Sequence, residues 1–447
     1  MQLIELENRP DLAGLAERFP ERYPVLLKSS SSGGSLGRFD ILLAASGQPL
    51  VKFPGKKLSG PADAIAQGGD FLAALQRWIG TVECLTPVVD LPFIGGWFVY
   101  LGYEMAGAVE PTLRLPQFDP DFPDAIAWRA PVAAIYDHTL NRASVIVEPG
   151  AEAIASQLLA DLDNAARKPE EGAFECAQWQ VDSAAVYAGH VEKIRNYIDA
   201  GDVFQVNVSR QWSCHYLGSE RALFDRLCEL NPAPFAGWVR TPWGDIVSSS
   251  PERLVEVRGR TAQTRPIAGT RPRSSDPETD ANLSAELIAH PKERAEHIML
   301  IDLERNDLGR VCVPGSVRVD ELMAIESYAH VHHIVSNVRG RLREEVSPVD
   351  VLRAVFPGGT ITGCPKVRCM EIIAELEGVG RGPYTGSFGY INRDGSMDMN
   401  ILIRTLFARD GHIQFRAGGG IVADSERGRE VAETEAKAEG IVRALKS

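Results

Sequence analysis

Three consecutive glycines, Gly418-Gly419-Gly420, stand between a strand-like run and an amphipathic helix, and no other stretch limits the fold of this chain as much. Upstream, Met399 to Phe407 is β-branched and aliphatic with one charge, Arg404, in its middle, which predicts a strand whose charge needs a partner. Ile413 to Ala417 predicts a second strand running into the glycines. With no Cβ atoms there, a ligand can approach the backbone N–H groups, so the glycines are a prospective anion seat. From Glu426 onward the pattern is helical. Val431, Ala438, Val442 and Leu445 form an apolar stripe, and Glu430, Glu433 and Lys437 fall at i, i+3 and i+7 on an adjacent face. Two carboxylates so spaced ordinarily mark a solvated face. Beside Arg404 and the glycines they gain a second reading, because an anionic ligand can share a carboxylate cluster only if a hard cation such as Mg²⁺ bridges them.

A chain of 447 residues with 44% hydrophobic and 24% charged residues can build one large or two ordinary domains. Its net charge of −13 argues against nucleic acid or an anionic membrane as the main partner. The seven cysteines are scattered and lack zinc spacing, which fits a reducing cytoplasm. The first residues have neither the basic start nor the apolar core of a signal peptide, and no apolar run reaches membrane-span length.

Pro24 to Lys28 and Arg38 to Ala45 predict strands, Phe71 to Ile79 a helix, and the aromatic, glycine-rich run Pro92 to Tyr103 a buried strand close to another backbone. Residues 163–182 are polar and turn-rich, and divide an N-terminal region, 1–162, from a second region, 183–447. Ser183 caps a helix to Ala200. Val203 to Ser209 then predicts a strand with Gln205 and Asn207 on one face, as core groups or ligand contacts. Glu252 follows a serine-rich turn; held in a cleft, it would have the raised pKa a general acid needs, whereas a glutamate after proline is ordinarily exposed. Gln263 to Arg273 predicts a basic, kinked loop. Pro291 opens a helix with a stripe of Ala295, Ile298, Met299 and Leu303, Glu296 and His297 beside it, and a charged cluster, Asp302 to Asp307, at its end. His330 and His332 have strand spacing for a metal but no third ligand, so one histidine facing a cleft is the preferred reading. Phe356 to Lys366 is a glycine-rich loop before a helix and lacks the ending of a P-loop.

Five of these stretches, Pro266 to Arg273, Asp302 to Asp307, Val331 to Ser336, Gly359 to Arg368 and Ala417 to Asp424, resemble in order the motifs of the chorismate-utilising enzymes. The likeness covers roughly residues 183 to 445, with a looser one over 10 to 150 to the two aminating members, which make aminodeoxychorismate and anthranilate. It implies an α/β (α+β) fold of two antiparallel sheets packed as a sandwich with helices outside. Carried over by motif, Glu296, Glu430 and Glu433 resemble the Mg²⁺ cluster that receives the ring carboxylate of chorismate. Arg404, Gly419 and Gly420, with Lys437 nearby, resemble the seat of the enolpyruvyl carboxylate. Glu252 matches the acid that protonates the departing C4 hydroxyl, His333 a histidine against the ring carboxylate, and Gly269 and Thr270 ring contacts. Many members carry a lysine nucleophile where this chain has Ala268. The resemblance then implies either that water or ammonia is the transient C2 nucleophile or that the product is anthranilate. Its motifs look more like those of the members making 4-amino-4-deoxychorismate for 4-aminobenzoate and folate. The isochorismate and salicylate synthases carry a lysine where this strand has Gln205, and a silent binding subunit would have lost Glu252 or a metal carboxylate. No glutaminase segment is present, so the resemblance implies a separate glutamine amidotransferase subunit as source of ammonia. Ser29 with Asn231, Pro232 and Pro234 corresponds to a tryptophan pocket, whose loop departs from the feedback-inhibited pattern and predicts weak or no inhibition.

Overall fold

The computed structural model describes residues 1–30, 37–84, 91–164, 175–327 and 331–445. The strand Phe39–Lys52 runs antiparallel to Ala125–Asp137 along its whole length, from Phe39 opposite Asp137 to Lys52 opposite Ala125. On its other edge, Ala125–Asp137 changes partner: residues 125–130 pair with Gly96–Leu101, and residues 132–137 with Arg142–Val147. The change falls at Pro131, which has no N–H to give to a ladder.

Two runs of antiparallel neighbours leave this pair. One passes through Val25–Lys28, Phe235–Val239, Asp245–Ser250, Thr405–Arg409 and His412–Ile421 to Gln205–Leu217. The other passes through Gly96–Leu101, Ser387–Asn392, Met397–Asn400, Arg253–Arg258 and Thr261–Thr264 to Val331–Arg341. The expected pair of separate sheets is therefore corrected to one continuous hydrogen-bonded sheet, because the long strands Phe39–Lys52 and Ala125–Asp137 belong to both runs. Sequence regions 1–162 and 183–447 both contribute strands to each run.

Alternation along the strands sorts the core. Ile41, Leu43, Val239, Ile246 and Phe407 of the first run share a cluster with Phe98, Tyr100, Phe388 and Tyr390 of the second. Outward-facing Leu42, Val247, Leu406 and Phe415 pack with the helices Leu12–Arg18, Glu220–Leu230 and Arg427–Ala444. Val99, Val255 and Met399 pack with Phe71–Gly80, Lys366–Glu377 and Pro291–Gly309. Among the described residues no helix is long and apolar enough to cross a membrane.

Local expectations fare unevenly. Helices begin at Asp70 and Ser183, whose side chains accept from Ala73 N and Val186 N. In the helix Pro291–Gly309, however, the buried face is His297, Leu300, Ile301, Leu303, Glu304, Asp307 and Leu308, while Ile298 is 55% exposed. Of the predicted stripe Leu303 is buried, and Ala295 and Ile298 are exposed because polar side chains occupy buried positions. Gln263 to Arg273 is not a loop: Thr261–Thr264 and Ile267–Pro272 are strands pairing with Val331–Arg341. The serines before Glu252 are also in a strand, Asp245–Ser250. Cys176 is bonded to Cys214, a pairing the scattered cysteines did not predict.

Candidate functional site

The three glycines lie inside a strand rather than a loop. His412–Ile421 pairs with Gln205–Leu217, setting Gly418 opposite Ser209, Gly419 opposite Val208 and Gly420 opposite Asn207. A Cβ on Gly418 would lie 2.2 Å from the Val208 carbonyl oxygen, and one on Gly420 would lie 1.8 Å from Gln205 Nε2. Above Gly419 the space belongs to the helix Arg427–Ala444: a Cβ there would stand 3.3 Å from Glu433 Oε1 and 3.6 Å from Glu430 Oε2. One turn on, Lys437 Nζ donates to the Gly418 carbonyl at 3.0 Å and pairs with Glu433 at 2.7 Å. Gln205, packed against Gly420, donates to Glu296 Oε1 at 3.1 Å. Its side-chain Oε1 and Asn207 Oδ1 are buried without a hydrogen-bond partner among the described residues.

The glycine strand is thus surrounded by carboxylate and amide oxygens, the donor chemistry a hard divalent cation takes. Among the described residues no three His, Cys, Asp or Glu side chains form a ready metal group. A cation here would need ligand or water oxygens to complete its shell, the habit of Mg²⁺.

Next to this shelf is a dry corner. Glu252, at 5% exposure, sits between the strands Asp245–Ser250 and Arg253–Arg258 and accepts from Thr360 Oγ1 at 2.8 Å. Burial pushes its carboxyl up to about 7, against the Thr360 bond and the charges of Lys437 and Arg404. The run Met399 to Phe407 breaks at Ile401 to Arg404, so the single predicted strand is two, Met397–Asn400 and Thr405–Arg409. Arg404 has φ +51°, and its carbonyl accepts from Ser249 N at 3.1 Å. A non-glycine residue held there costs on the order of 1–3 kcal/mol, which the surrounding sheet must impose. Burial lowers the pKa of its guanidinium, which makes no hydrogen bond or ion pair among the described residues. A partly buried cation in that state is set to take an anion.

The third wall is the strand Ile267–Pro272. Ala268, buried, stands opposite Ile334, and Thr270 opposite His333, with an irregularity between them at Gly269, φ +68°. His333 Nδ1 lies 3.1 Å from Thr270 Oγ1 and 3.2 Å from the Gly269 carbonyl. Burial, helped by Arg404, lowers its pKa to about 4, leaving the ring neutral at pH 7. His332 turns to Asp280 at 3.0 Å and Ser327 at 2.7 Å, so it is no ligand beside His333; His330 lies outside the described residues.

Mutual fields tie the walls together: Arg404 acts on Glu252 and His333, Lys437 on Glu252, and Glu296 on Lys437. For the expected tryptophan-type pocket, the segment holding Ser29 runs beside that holding Asn231, Pro232 and Pro234, with Ser30 N donating to the Ala233 carbonyl at 3.1 Å. Ser29 Oγ donates to the Pro234 carbonyl at 3.1 Å, and both line a cavity of about 550 Å³ with Lys28, Phe235, Arg253 and Tyr390. Asn231 and Pro232 fall outside that lining; Asn231 ends the helix Glu220–Leu230, and its carbonyl accepts from Ser249. Two site residues escaped the sequence reading. Thr360 gave no signal beyond its glycine-rich surroundings. Tyr384, whose hydroxyl would lie 2.9 Å from a Cβ on Gly418, follows a Gly-Arg-Gly-Pro turn that could have drawn attention.

The sequence model of the family described as chorismate binding enzyme matches residues 54–443. The aminodeoxychorismate synthase component 1 of Bacillus subtilis (strain 168) is 40% identical over 441 residues, covering 95% of this chain and 92% of that protein. The anthranilate synthase component 1 of Thermus thermophilus is 43% identical over 366 residues, covering 79% of this chain and 78% of that protein. Among solved structures, anthranilate synthase component I from Streptococcus pneumoniae TIGR4 superposes with a TM-score of 0.78 at 30% identity, covering 92% of this chain and 93% of that one.

Proposed function

The chain belongs to the chorismate binding enzyme family, and on that footing we propose that it aminates chorismate to 4-amino-4-deoxychorismate, for 4-aminobenzoate and folate, in the cytoplasm. Ammonia comes from a separate glutamine amidotransferase subunit. The observation that carries the reading is Glu252, a buried carboxyl whose pKa of about 7 leaves much of it protonated at neutral pH, beside Arg404, a cation awaiting an anion.

Hydroxide is a poor leaving group, so breaking the C4–O bond needs a proton delivered to that oxygen, and Glu252 supplies it as water leaves. Arg404 receives the enolpyruvyl carboxylate against Gly419 and Gly420, with Lys437 adding positive charge. Neutral His333, held by Thr270 and the Gly269 carbonyl, lies against the ring carboxylate without competing as a cation. Glu296, Glu430 and Glu433 would hold Mg²⁺, which would supply Lewis-acid withdrawal of electron density from the ring. With Ala268 in place of an amine, water or ammonia adds at C2 as the ring double bonds shift and the C4 hydroxyl departs. Ammonia then forms the C4–N bond, and the C2 group leaves. Gln205, already committed to Glu296, has no basic nitrogen with which to activate water for isochorismate formation.

Ala268 also favours a second reading, anthranilate formation by C2 amination and loss of pyruvate, which the name of the Thermus relative supports. Mass spectrometry of the products from chorismate, Mg²⁺ and an ammonium salt separates the two. Aminodeoxychorismate is the expected product; anthranilate as the main product would replace the first reading by the second, and no product would remove both.

A further inference from the structure

Two buried carboxyls behind Glu252 have no part in the chemistry above. The helix Pro291–Gly309 presents Glu304 and Asp307 one turn apart, both buried. Asp307 has a cation, Lys366, whose Nζ lies 2.5 Å from its Oδ2, and Arg310 of the same helix end adds a weaker field. Glu304 forms no ion pair among the described residues, although the charge of Lys366 also reaches it. It lies beside Thr264 and against the Gly359 turn, where a Cβ would stand 3.6 Å from its Oε1. The residue after Gly359 is Thr360, whose hydroxyl donates to Glu252. Glu304 and Glu252 thus meet one short backbone link at successive residues, Glu304 at Gly359 and Glu252 at Thr360.

The charges around this link can be counted from every side. Lys366 is engaged by Asp307, and Arg404 and Lys437 face Glu252 from the substrate side. A second anion at Glu304 would meet burial, Asp307 and, less strongly, Glu252; Lys366 and a hydrogen bond from Thr264 offset this only in part, and its carboxyl is pushed up to about 8. Two interacting acids in one dry corner titrate as a pair, and ionising either makes the other harder to ionise.

We propose that Glu304 is a positioning residue for the acid Glu252: a neutral carboxyl in the resting enzyme, whose ionisation on the alkaline side makes Glu252 hold its proton more tightly. Glu252 therefore stays competent to higher pH than it would alone. The inference rests on the reading of Glu252 as the general acid.

The test compares native enzyme with Glu304→Gln, which keeps the shape of a neutral glutamate but cannot ionise. The readout is kcat for chorismate consumption at saturating Mg²⁺ and ammonium, with variant divided by native at each pH so that the protonation of ammonia cancels. The ratio is expected to be constant near pH 6 and to fall about three- to tenfold by about pH 9. A ratio that does not change with pH, whatever its level, overturns the inference. If E304Q does not fold, the native profile decides: an alkaline limb spread over two ionisations is expected, and a single one-proton limb overturns it. No consumption of chorismate by the native enzyme would take down the reading of Glu252 and this inference with it, whereas a constant ratio in an active enzyme removes this inference alone.

Discussion

Glu433 and Glu252 are the same residue type in one site, and their surroundings fit them to the opposite tasks proposed for them. Glu433 is 48% exposed on a helix surface, with Lys437 at 2.7 Å to balance its charge. Glu252 is enclosed, with a threonine hydroxyl as its close donor, and burial keeps its proton on to about pH 7. A wet carboxylate with a neighbouring cation suits a metal ligand; a dry one suits an acid. What separates Glu433 from Glu252 is access to water rather than any difference in the side chain, while Glu430 on the same helix is as enclosed as Glu252.

The sharpest way to break this contrast is Glu252→Gln, which keeps the volume and removes the proton. Turnover is expected to fall by about 10²–10⁴-fold with the thermal unfolding curve unchanged, and activity within a few-fold of native would end the assignment. Glu433→Gln acts on the wet side. The Mg²⁺ concentration for half-maximal activity should rise roughly tenfold with the pH profile unmoved, because one hard ligand of the shell is weakened; a shifted alkaline limb would mean that shelf and corner are not distinct. The smallest effect is on stability. Glu252 and Glu304 have folded pKa values of about 7 and about 8, above the 4.5 of an ordinary glutamate. Their contribution is therefore fully present below about pH 4.5 and is lost as pH rises through 7 and 8. The melting temperature should drop by a few degrees over that range, and less in E304Q, as a pH series of calorimetric scans would show.

The wet side was the more legible in the sequence. Glu430, Glu433 and Lys437 are set by helical spacing, which a linear pattern displays directly. The dry corner was not, since burial is a property of what comes to lie on top. Glu252 could be singled out but not placed, and Glu304 was hidden because an apolar stripe was sought where His297, Glu304 and Asp307 are buried. The unbroken aliphatic run around Arg404 likewise gave no sign of its left-handed backbone, which the sheet around it imposes. Strand positions at Val25–Lys28 and Gly96–Leu101 were readable from composition, but not their partners, which come from the far half of the chain.

That last feature bears on how the protein is made. The strand Gly96–Leu101 pairs on one edge with Ala125–Asp137 and on the other with Ser387–Asn392, and Val25–Lys28 with Phe39–Lys52 and then Phe235–Val239, so each early strand leaves the ribosome long before its second neighbour exists. Until those later strands are made, one apolar edge of each has no native ladder to join, a state in which nascent chains depend on slow elongation or on chaperones to avoid one another. An architecture that closes the site by threading both ends of the chain through one sheet thus leaves its most vulnerable interval to roughly the tens of seconds before release.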